Sequence, residues 1–479
     1  MKMTDNSESH AFYDSEEYRD SIATVDKSGK RIWLYPKKPN GRLYEWRKKV
    51  SYVFLLLFFL MPFIKINGNP FLQLNIIQRK FSILGTLYFP QDFHIFLFFM
   101  LTGLLFIILF TVIFGRLFCG WVCPQTVFME MVFRRFEYWI EGDWSQQKKL
   151  DAAAWNFEKI AKKSTKHALF LCISFLIANT LLSYIIGYEE VIHIASDPFS
   201  KHLGGLMALI VFTLAFYSVF AFMREQVCTT ICPYGRLQGV LLDKDSIVIS
   251  YDNVRGEPRS KIQKVNEPEL GNILSLAGDC IDCKLCIKVC PTGIDIRNGT
   301  QLECVNCTAC IDVCDEVMVK VNRPKGLIRF DSSNGISNGK RKIFTPRAKA
   351  YIAVLLVLCL INTILFLSRK SIEINIFHTP GTIYQKMDGG YIGNVFNYQL
   401  VNKTNKDEEI TFSISEYDAS IMMVGKEEVT LKQVEKASGT FIIKIPESKL
   451  KYRKTKLHIK AKSSNKDYII KTNFLGPIK

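Results

Sequence analysis

Several signals that would assign this chain to a common protein class are missing. The first 45 residues are polar and charged, with no apolar stretch before the first long apolar run, so we expect no cleavable signal peptide. No G-x-G-x-x-G fingerprint of a dinucleotide-binding fold follows a predicted strand. Residues 371–479 contain no cysteine, which excludes disulfides and thiolate sites from that segment.

Long apolar runs are the main feature of the remaining sequence. Of the 479 residues 48% are apolar, and 35 are phenylalanine. Runs of about 20 apolar residues are long enough to cross a bilayer, so the composition is typical of an integral membrane protein. The five predicted spans are 50–66, Phe93–Phe114, Ala168–Gly187, Leu203–Met223 and Ala350–Leu367.

Charge asymmetry predicts the orientation of these spans. Residues 115–167 hold nine Lys or Arg, whereas the loop between the third and fourth spans has Glu189, Glu190 and Asp197 against Lys201. Because Lys and Arg accumulate in cytoplasmic loops, the N-terminus and the segment between the fourth and fifth spans are predicted inside, and the C-terminus outside. The net charge of +17 fits basic flanks beside anionic lipid, and no nucleic-acid motif is present.

Eight of the 14 cysteines lie within residues 280–314, in the segment between the fourth and fifth spans. They form two C-x2-C-x2-C-x3-C runs separated by 13 residues. This spacing is typical of bacterial two-cluster iron–sulfur proteins, in which the fourth cysteine of each run binds the other cluster. The predicted ligands of one [4Fe–4S] cluster are Cys280, Cys283, Cys286 and Cys314, and those of the other are Cys290, Cys304, Cys307 and Cys310. Structural zinc and disulfides are the alternatives, but zinc sites rarely use three cysteines in a row and disulfides are rare in a reducing cytoplasm.

Four further cysteines form two similar pairs at the predicted cytoplasmic ends of spans. Cys119 and Cys123 make one pair and Cys228 and Cys232 the other, each closed by a proline and flanked by arginine. On a helix this spacing places both sulfurs on one face, and nearby arginines would lower the thiol pKa. Two such pairs brought together would form a four-thiol site for Cu(I), zinc or a further cluster. Packing cysteines at helix ends and a redox dithiol are the alternatives.

The C-terminal segment has a different pattern. Apolar and polar residues alternate in short runs at 372–377, 410–414, 441–445, 457–461 and 468–472. Alternation of this kind predicts antiparallel strands, and we expect a small immunoglobulin-like sandwich.

The predicted fold class is thus a multidomain membrane protein. An α-helical transmembrane bundle of about five helices carries an inserted two-cluster ferredoxin-like α+β domain and a C-terminal all-β immunoglobulin-like sandwich. We divide the chain into a cytoplasmic tail (1–49), four membrane helices with an interfacial helix (50–245), the ferredoxin-type domain (246–345), a fifth membrane helix (346–370) and the outer domain (371–479). The charges of the interfacial helix, 125–141, are expected to face solvent and lipid headgroups.

Over nearly its whole length the sequence resembles the cytochrome c oxidase accessory proteins of the CcoG/FixG type. The motifs that carry this resemblance are Tyr18–Asp26, Phe63–Pro70, Pro90–Asp92, Gly115–Thr126, Glu137–Gly142, Arg224–Cys228, Cys232–Arg236, both cysteine runs and the outer sandwich. The ferredoxin runs are widespread, whereas the paired C-x3-C-P motifs together with that tail are specific to the family.

The resemblance implies a role in maturation of the copper-containing cbb3-type oxidase, with reduction of Cu(II) to Cu(I). It implies copper as substrate or transient ligand, and it assigns Cys119, Cys123, Cys228 and Cys232 to positions associated with copper or a further cluster. The implied partners are oxidase subunits or copper chaperones and a cytoplasmic electron donor, and the implied location is the bacterial inner membrane. A soluble ferredoxin, a flavoprotein and a quinol stay open as donors. So do two other functions: an electron relay with a third iron–sulfur centre for a periplasmic reductase, and a non-enzymatic assembly scaffold.

Overall fold

The computed structural model describes most of the chain. The described residues are 24–25, 28, 30–66, 68–75, 80–88, 92–198, 203–261, 278–368, 371–404, 406–425, 429–433, 435–463 and 466–477. Most of the tail motif that begins at Tyr18, and the loop residue Lys201, lie outside them. The described residues form two compact units: one from 1–64, 72–79 and 94–362, the other from 65–71, 80–93 and 363–479. The predicted boundaries at 245/246 and 345/346 fall inside the first unit.

Long apolar helices are the framework of the first unit. Within the described residues, four helices are long and apolar enough to cross a membrane: Phe93–Phe114, Phe157–Ile186, Leu203–Met223 and Pro346–Leu367. The helix predicted from Ala168 begins at Phe157 instead, because the Asn156 carboxamide accepts a hydrogen bond from the Lys159 amide at 2.8 Å and caps it there. The last five residues of Leu203–Met223 form a π-helical turn.

The first predicted span differs from its prediction. The helix covers Arg42–Leu60 and gives way to a 3₁₀ turn at Met61–Phe63, which contains Pro62. Because five charged residues lie in its first two turns, this helix is not among the four that are long and apolar enough to cross a membrane. Its two ends are nevertheless anchored far apart: the Tyr44 amide donates to the Asp312 carboxylate at 2.8 Å, and the Phe58 carbonyl accepts from the Tyr184 hydroxyl at 2.8 Å.

Shorter helices connect the long ones. They are Leu117–Trp121, Pro124–Val127, Arg134–Ile140, Trp144–Ala152, Tyr188–Ser196, Pro233–Leu241, Asn253–Gly256, Leu285–Lys288, Ala309–Lys320 and Ser333–Asn338, with π-helical turns at Phe128–Phe133 and Val227–Ile231 and a 3₁₀ turn at Ile296–Asn298. Phe133, Phe170 and Phe220 form the buried core of this part; the rings of Phe133 and Phe220 stack at 4.4 Å.

Five short strands lie between the helices Arg42–Leu60 and Phe93–Phe114. They are β1 (Lys65–Ile66), β2 (Asn69–Pro70), β3 (Leu72–Asn75), β4 (Lys80–Ile83) and β5 (Thr86–Tyr88). Two further strands, β6 (Val248–Tyr251) and β7 (Ile328–Asp331), pair antiparallel beside the cysteine runs. Ile249, Met318 and Ile328 are buried between this ribbon and the helix Ala309–Lys320. The predicted ferredoxin-like domain is confirmed.

The second unit contains the predicted β sandwich. Its strands are β8 (Ile372–His378), β9 (Gln385–Met387), β10 (Tyr391–Asn402), β11 (Glu408–Ser413), β12 (Ser420–Met423), β13 (Val429–Leu431), β14 (Lys436–Pro446), β15 (Lys454–Lys462) and β16 (Asp467–Leu475). One sheet has the order β12-β14-β10-β8, with β9 beside β10, and the other β13-β11-β15-β16. Phe396, Phe441 and Leu457 are fully buried between the sheets. All five predicted strand segments lie on observed strands.

One part of this unit was not predicted. Strands β4 and β5, together with Asp92 and Phe93, belong to the sandwich unit, although no strand was predicted between the first two spans. The Lys403 ammonium is buried between the carboxylates of Asp92, at 2.6 Å, and Glu373, at 2.8 Å. Leu87 packs on Val401.

The expected interfacial helix is also different. Arg134, Glu137 and Glu141 are buried, with relative exposures of 1%, 3% and 4%. Glu141 pairs with Lys166 at 2.8 Å, and Arg134 pairs with Glu130 at 2.7 Å. The prediction of a solvated, lipid-facing charged side is therefore wrong for these three residues, because each has a partner on a packed neighbour or one helical turn away. It holds for Arg135, which is exposed.

Candidate iron–sulfur and thiol sites

The two cysteine runs share one backbone geometry. In the first run Asp282 and Lys284, on either side of Cys283, have positive φ values of 48° and 56°. In the second run Asn306 and Thr308, on either side of Cys307, have φ values of 53° and 70°. Positive φ is uncommon for residues with a side chain. Its recurrence at equivalent positions indicates that both runs turn their first three cysteines around a common centre.

Each predicted ligand set lines its own cavity. The first cavity is lined by Cys280, Cys283, Cys286 and Cys314. The second cavity is lined by Cys290, Cys304, Cys307 and Cys310, and also by Cys286. This grouping exchanges the fourth cysteine between the runs, as the spacing requires for two clusters.

The chemistry of these cavities suits iron–sulfur clusters. Burial raises the pKa of Cys286, Cys304 and Cys314 to about 12, and it raises the pKa of Cys310 well above the usual range. Thiolates become stable in such surroundings when a bound metal centre supplies positive charge. The residues present therefore fit two [4Fe–4S] clusters, and the ligand assignments stay predictions.

The C-x3-C-P motifs do not form continuous helices. Cys119 lies in the short helix Leu117–Trp121, but Cys123 has extended backbone angles and precedes the helix that begins at Pro124. Cys228 lies in a π-helical turn, and Cys232 is likewise extended before Pro233. The helical geometry expected for each pair is wrong, because a residue before proline is disfavoured in the α conformation. In both motifs the helix is interrupted at the second cysteine, directly before the proline.

The four cysteines nevertheless come together. Burial, together with the neighbouring Cys123 and Cys119, raises the pKa of Cys228 to about 12. Burial also raises the pKa of Cys123, with a contribution from Cys232. The positive charge of Arg116 lowers the thiol pKa values, as expected, but burial raises them more. The pKa values of Cys119, Cys123 and Cys228 are therefore raised, which is opposite to the prediction. Among the described residues, no three His, Cys, Asp or Glu side chains converge tightly enough to hold a single metal ion.

A buried glutamine links this thiol group to an arginine. The side-chain oxygen of Gln238, which has no exposed surface, accepts hydrogen bonds from Cys119 Sγ at 3.1 Å and from Arg116 Nε at 2.8 Å. Arg116 also donates to the Leu302 carbonyl, just before the second cysteine run. No sequence signal singled out Gln238, since its role depends on the fold of distant segments.

The four-thiol group lies directly against the second cysteine run. Cys119 packs in one apolar cluster with Val305 and Cys307. The Trp121 indole donates to the Asn306 carbonyl at 3.3 Å. A Cβ on Gly120 would lie 2.2 Å from the Val305 carbonyl oxygen, so only glycine permits this approach. Asn306 and Gly120 are further residues that sequence reasoning missed.

A third cavity adjoins the thiol group. It is lined by Cys228, Thr126, Met129, Glu225, Pro291 and Thr292, among others. Thr292 Oγ1 is 3.3 Å from Cys290 Sγ. Cys228 therefore lines this cavity directly, and Thr292 connects it to Cys290.

A buried ion network holds the chain just before Cys228. Arg224 has a positive φ of 53° and donates to Glu137 at 3.0 Å. Lys166 pairs with the same carboxylate at 3.4 Å. Burial alone would raise the pKa of Glu137, but Arg224 and Lys166 lower it to about 2.

Three protein-family models match the chain. A 4Fe–4S binding domain matches residues 96–148, a 4Fe–4S dicluster domain matches 223–333, and the IG-like fold at the C-terminus of FixG matches 363–477. The first matched segment contains only two cysteines, Cys119 and Cys123, and the second contains the other ten of the twelve candidate site cysteines.

Two relatives align along most of the chain. The nitrogen fixation protein FixG of Rhizobium meliloti is 30% identical over 441 residues, covering 82% of this chain and 81% of that protein. Protein RdxB of Cereibacter sphaeroides is 30% identical over 411 residues, covering 83% and 85%. The chain belongs to the FixG family. As a FixG-type protein it is a membrane electron-transfer protein with two 4Fe–4S binding domains and an immunoglobulin-like C-terminal domain.

A solved FixG-related protein from Vibrio parahaemolyticus is also similar. It covers 23% of this FixG-type chain and all of that structure, at 12% identity and a TM-score of 0.21. This match is too weak to support an argument.

Proposed function

We propose that this FixG-type protein is a membrane cupric reductase that supplies Cu(I) during maturation of cbb3-type cytochrome c oxidase. One observation carries the proposal: three thiol groups follow one another in the first unit. Cys286 lines both ferredoxin-type cavities, and Cys119 packs against Cys307 of the second. The final group, Cys119, Cys123, Cys228 and Cys232, would be the copper-binding end.

The eight cysteines of the two runs would hold the clusters. When bound, the clusters accept and release single electrons, which suits a one-electron metal couple. The chain's own contribution is positional: the close approach at Gly120 and the hydrogen bond from Trp121 to Asn306 keep the thiol group against the second run.

The reaction consumes one electron for each copper ion. Cu(II) bound by the thiolates is reduced to Cu(I), and a reduced cytoplasmic donor replaces the electron. Soft thiolate ligands favour Cu(I) over Cu(II), so the ligand set favours the product. Cu(I) would then pass to a copper chaperone or to an oxidase subunit, which the immunoglobulin-like domain would recognise.

We further propose an inner-membrane location with the ferredoxin-type domain inside and the sandwich outside. The nine basic residues of 115–167 support this orientation. Because the helix Arg42–Leu60 is anchored at both ends, we count it as a fifth membrane-crossing helix. Protease added to spheroplasts should cleave within 371–479 and spare 278–345; the reverse pattern would refute the orientation.

The test is an anaerobic single turnover. Chemically reduced protein is mixed with Cu(II), while cluster absorbance and a Cu(I)-specific chelator are followed together. The variant replaces Cys119, Cys123, Cys228 and Cys232 with serine. The matched control is Cys172→Ser with Cys359→Ser, two exposed thiols in the membrane helices. We expect parent and control to reoxidise and produce Cu(I) together, and the variant to keep reduced clusters without producing Cu(I). Equal Cu(I) production by all three would refute the reductase.

A second candidate is an electron relay with a third iron–sulfur centre on the same four cysteines. The match of residues 96–148 to a 4Fe–4S binding domain favours it, because Cys119 and Cys123 are the only cysteines in that segment. Iron analysis separates the two candidates. About eight irons per chain are expected for two [4Fe–4S] clusters alone, and a larger number that falls to about eight in the four-serine variant would favour the relay.

A further inference from the structure

The ferredoxin-type domain exposes one of its eight cluster cysteines. Cys283 is exposed, whereas the other seven are buried or half-buried. Cys283 belongs to the cavity that shares only Cys286 with the second cavity. The second cavity in turn is the one that adjoins the four-thiol group. Cys283 therefore belongs to the end of the series opposite the four-thiol group.

The carboxylates around Cys283 are already paired with arginines. Asp282 pairs with Arg297 at 2.5 Å, and Arg297 also binds Asp295. Asp279 pairs with Arg255. Their negative charge is thus largely compensated within the domain.

Several lysines on the same surface have no such compensation. Lys261 and Lys284 are exposed, and both act electrostatically on Asp282, which places them beside Cys283. Among the described residues, neither forms an ion pair. Lys288, one helical turn after Lys284, is also exposed, and its ammonium lies 5.4 Å from the centre of the Trp144 ring. Lys325, whose carbonyl accepts a hydrogen bond from Arg255, is exposed as well. The surface around the exposed cysteine is therefore basic.

We propose that this surface, formed by Lys261, Cys283, Lys284, Lys288 and Lys325, docks a soluble electron donor with an acidic face. Such charge complementarity speeds encounter and orients the two redox groups. An electron that arrives here enters at the cluster site nearest solvent. The inference rests on the proposed function only in assigning electron entry to the ferredoxin-type domain. A small acidic electron carrier fits, whereas a quinol dissolved in the bilayer does not.

The test measures electron entry without copper. Oxidised full-length protein in detergent is mixed anaerobically in a stopped-flow instrument with a prereduced acidic plant-type ferredoxin. Bleaching of the cluster absorbance gives the second-order rate constant. The variant is Lys261→Glu with Lys325→Glu, two exposed lysines of this surface that lie outside the cysteine runs, and a milder version carries Gln at both positions. The control is Lys340→Glu with Lys342→Glu, two exposed lysines just before the helix Pro346–Leu367. Dithionite replaces ferredoxin in a parallel series.

We expect the glutamate variant to slow reduction by ferredoxin about tenfold or more at low salt, since electrostatic steering contributes roughly 10- to 10³-fold to association. The difference should shrink near 1 M salt, where the Debye length falls to about 3 Å. The glutamine variant should lie between, and the control and all dithionite rates should match the parent.

Unchanged ferredoxin rates in the glutamate variant would overturn the proposal. Equal slowing in the control would also overturn it, since any surface lysine would then serve, and equal slowing with dithionite would assign the effect to the clusters. Loss of binding to anionic phosphatidylserine vesicles without any change in ferredoxin rate would identify the surface as a lipid contact instead. Because no copper is present, failure of the cupric reductase would leave this result unaffected.

Discussion

Replacing Gly120 with alanine should separate the four-thiol group from the second cysteine run. The new Cβ would lie 2.2 Å from the Val305 carbonyl oxygen and 3.2 Å from the Asn306 carbonyl. Since non-bonded heavy atoms prefer about 3.5–4.0 Å, the two segments must move apart by more than about 1 Å. Neither neighbour is a flexible side chain that could turn away, so the backbone itself must shift.

The expected cost has a structural and a functional part. Overpacking of this kind costs about 1–3 kcal/mol. The same contact carries the Trp121 bond to Asn306, at 3.3 Å, and the Arg47 bond to the Gly120 carbonyl, at 2.8 Å. A displacement of about 1 Å can cost roughly 10²-fold in rate. We therefore expect a lower melting temperature and a Cu(I) production rate about two orders of magnitude below the parent, with the ferredoxin-type clusters retained.

The matched control is Gly103→Ala in the helix Phe93–Phe114. Nothing lies within 4 Å of a Cβ built there, and alanine is favoured over glycine in helices by about 0.5–1 kcal/mol. The assay combines thermal unfolding, iron content and the anaerobic single turnover. If Gly120→Ala melts and reduces copper like the parent, close approach at this glycine does not couple the two sites, and the reasoning is refuted.

Two more predictions test buried polar groups near the thiols. Gln238→Leu removes the acceptor of both Cys119 and Arg116, so we expect a loss of about 1–3 kcal/mol of unfolding free energy by thermal melting; an unchanged melting temperature would mean that the two donors find other partners. Glu137→Gln leaves Arg224 and Lys166 buried without their shared carboxylate, which should cost about 3–5 kcal/mol. Because the pKa of Glu137 is lowered to about 2, below about 4.3 when unfolded, its contribution is present above about pH 4 and is lost as the pH falls towards 2. Melting temperatures of parent and variant should therefore converge in acid, and a constant difference down to pH 2 would contradict this assignment.

Much of this protein could be predicted from local sequence patterns. The spacing of Cys280 to Cys314 predicts two exchanged ligand sets because a short turn determines where neighbouring cysteines point. Uncharged runs predicted four of the long helices, and period-two alternation predicted the sandwich strands, since both patterns reflect which residues can be buried within one element. The first helix was less well predicted, because its basic first turns hide its beginning at Arg42.

Only the tertiary structure decided which distant groups meet. Gln238 accepts a hydrogen bond from Cys119, which is 119 residues away in the sequence. Lys403 is buried against Asp92, which is 311 residues away. Arg134, Glu137 and Glu141 were expected at the surface but are buried in ion pairs, such as Glu137 with Arg224. The periodicity of one helix shows only that it has two faces. Whether a charged face meets water or a complementary charge depends on the elements packed against it, and the same dependence brings two separate C-x3-C-P motifs into one site.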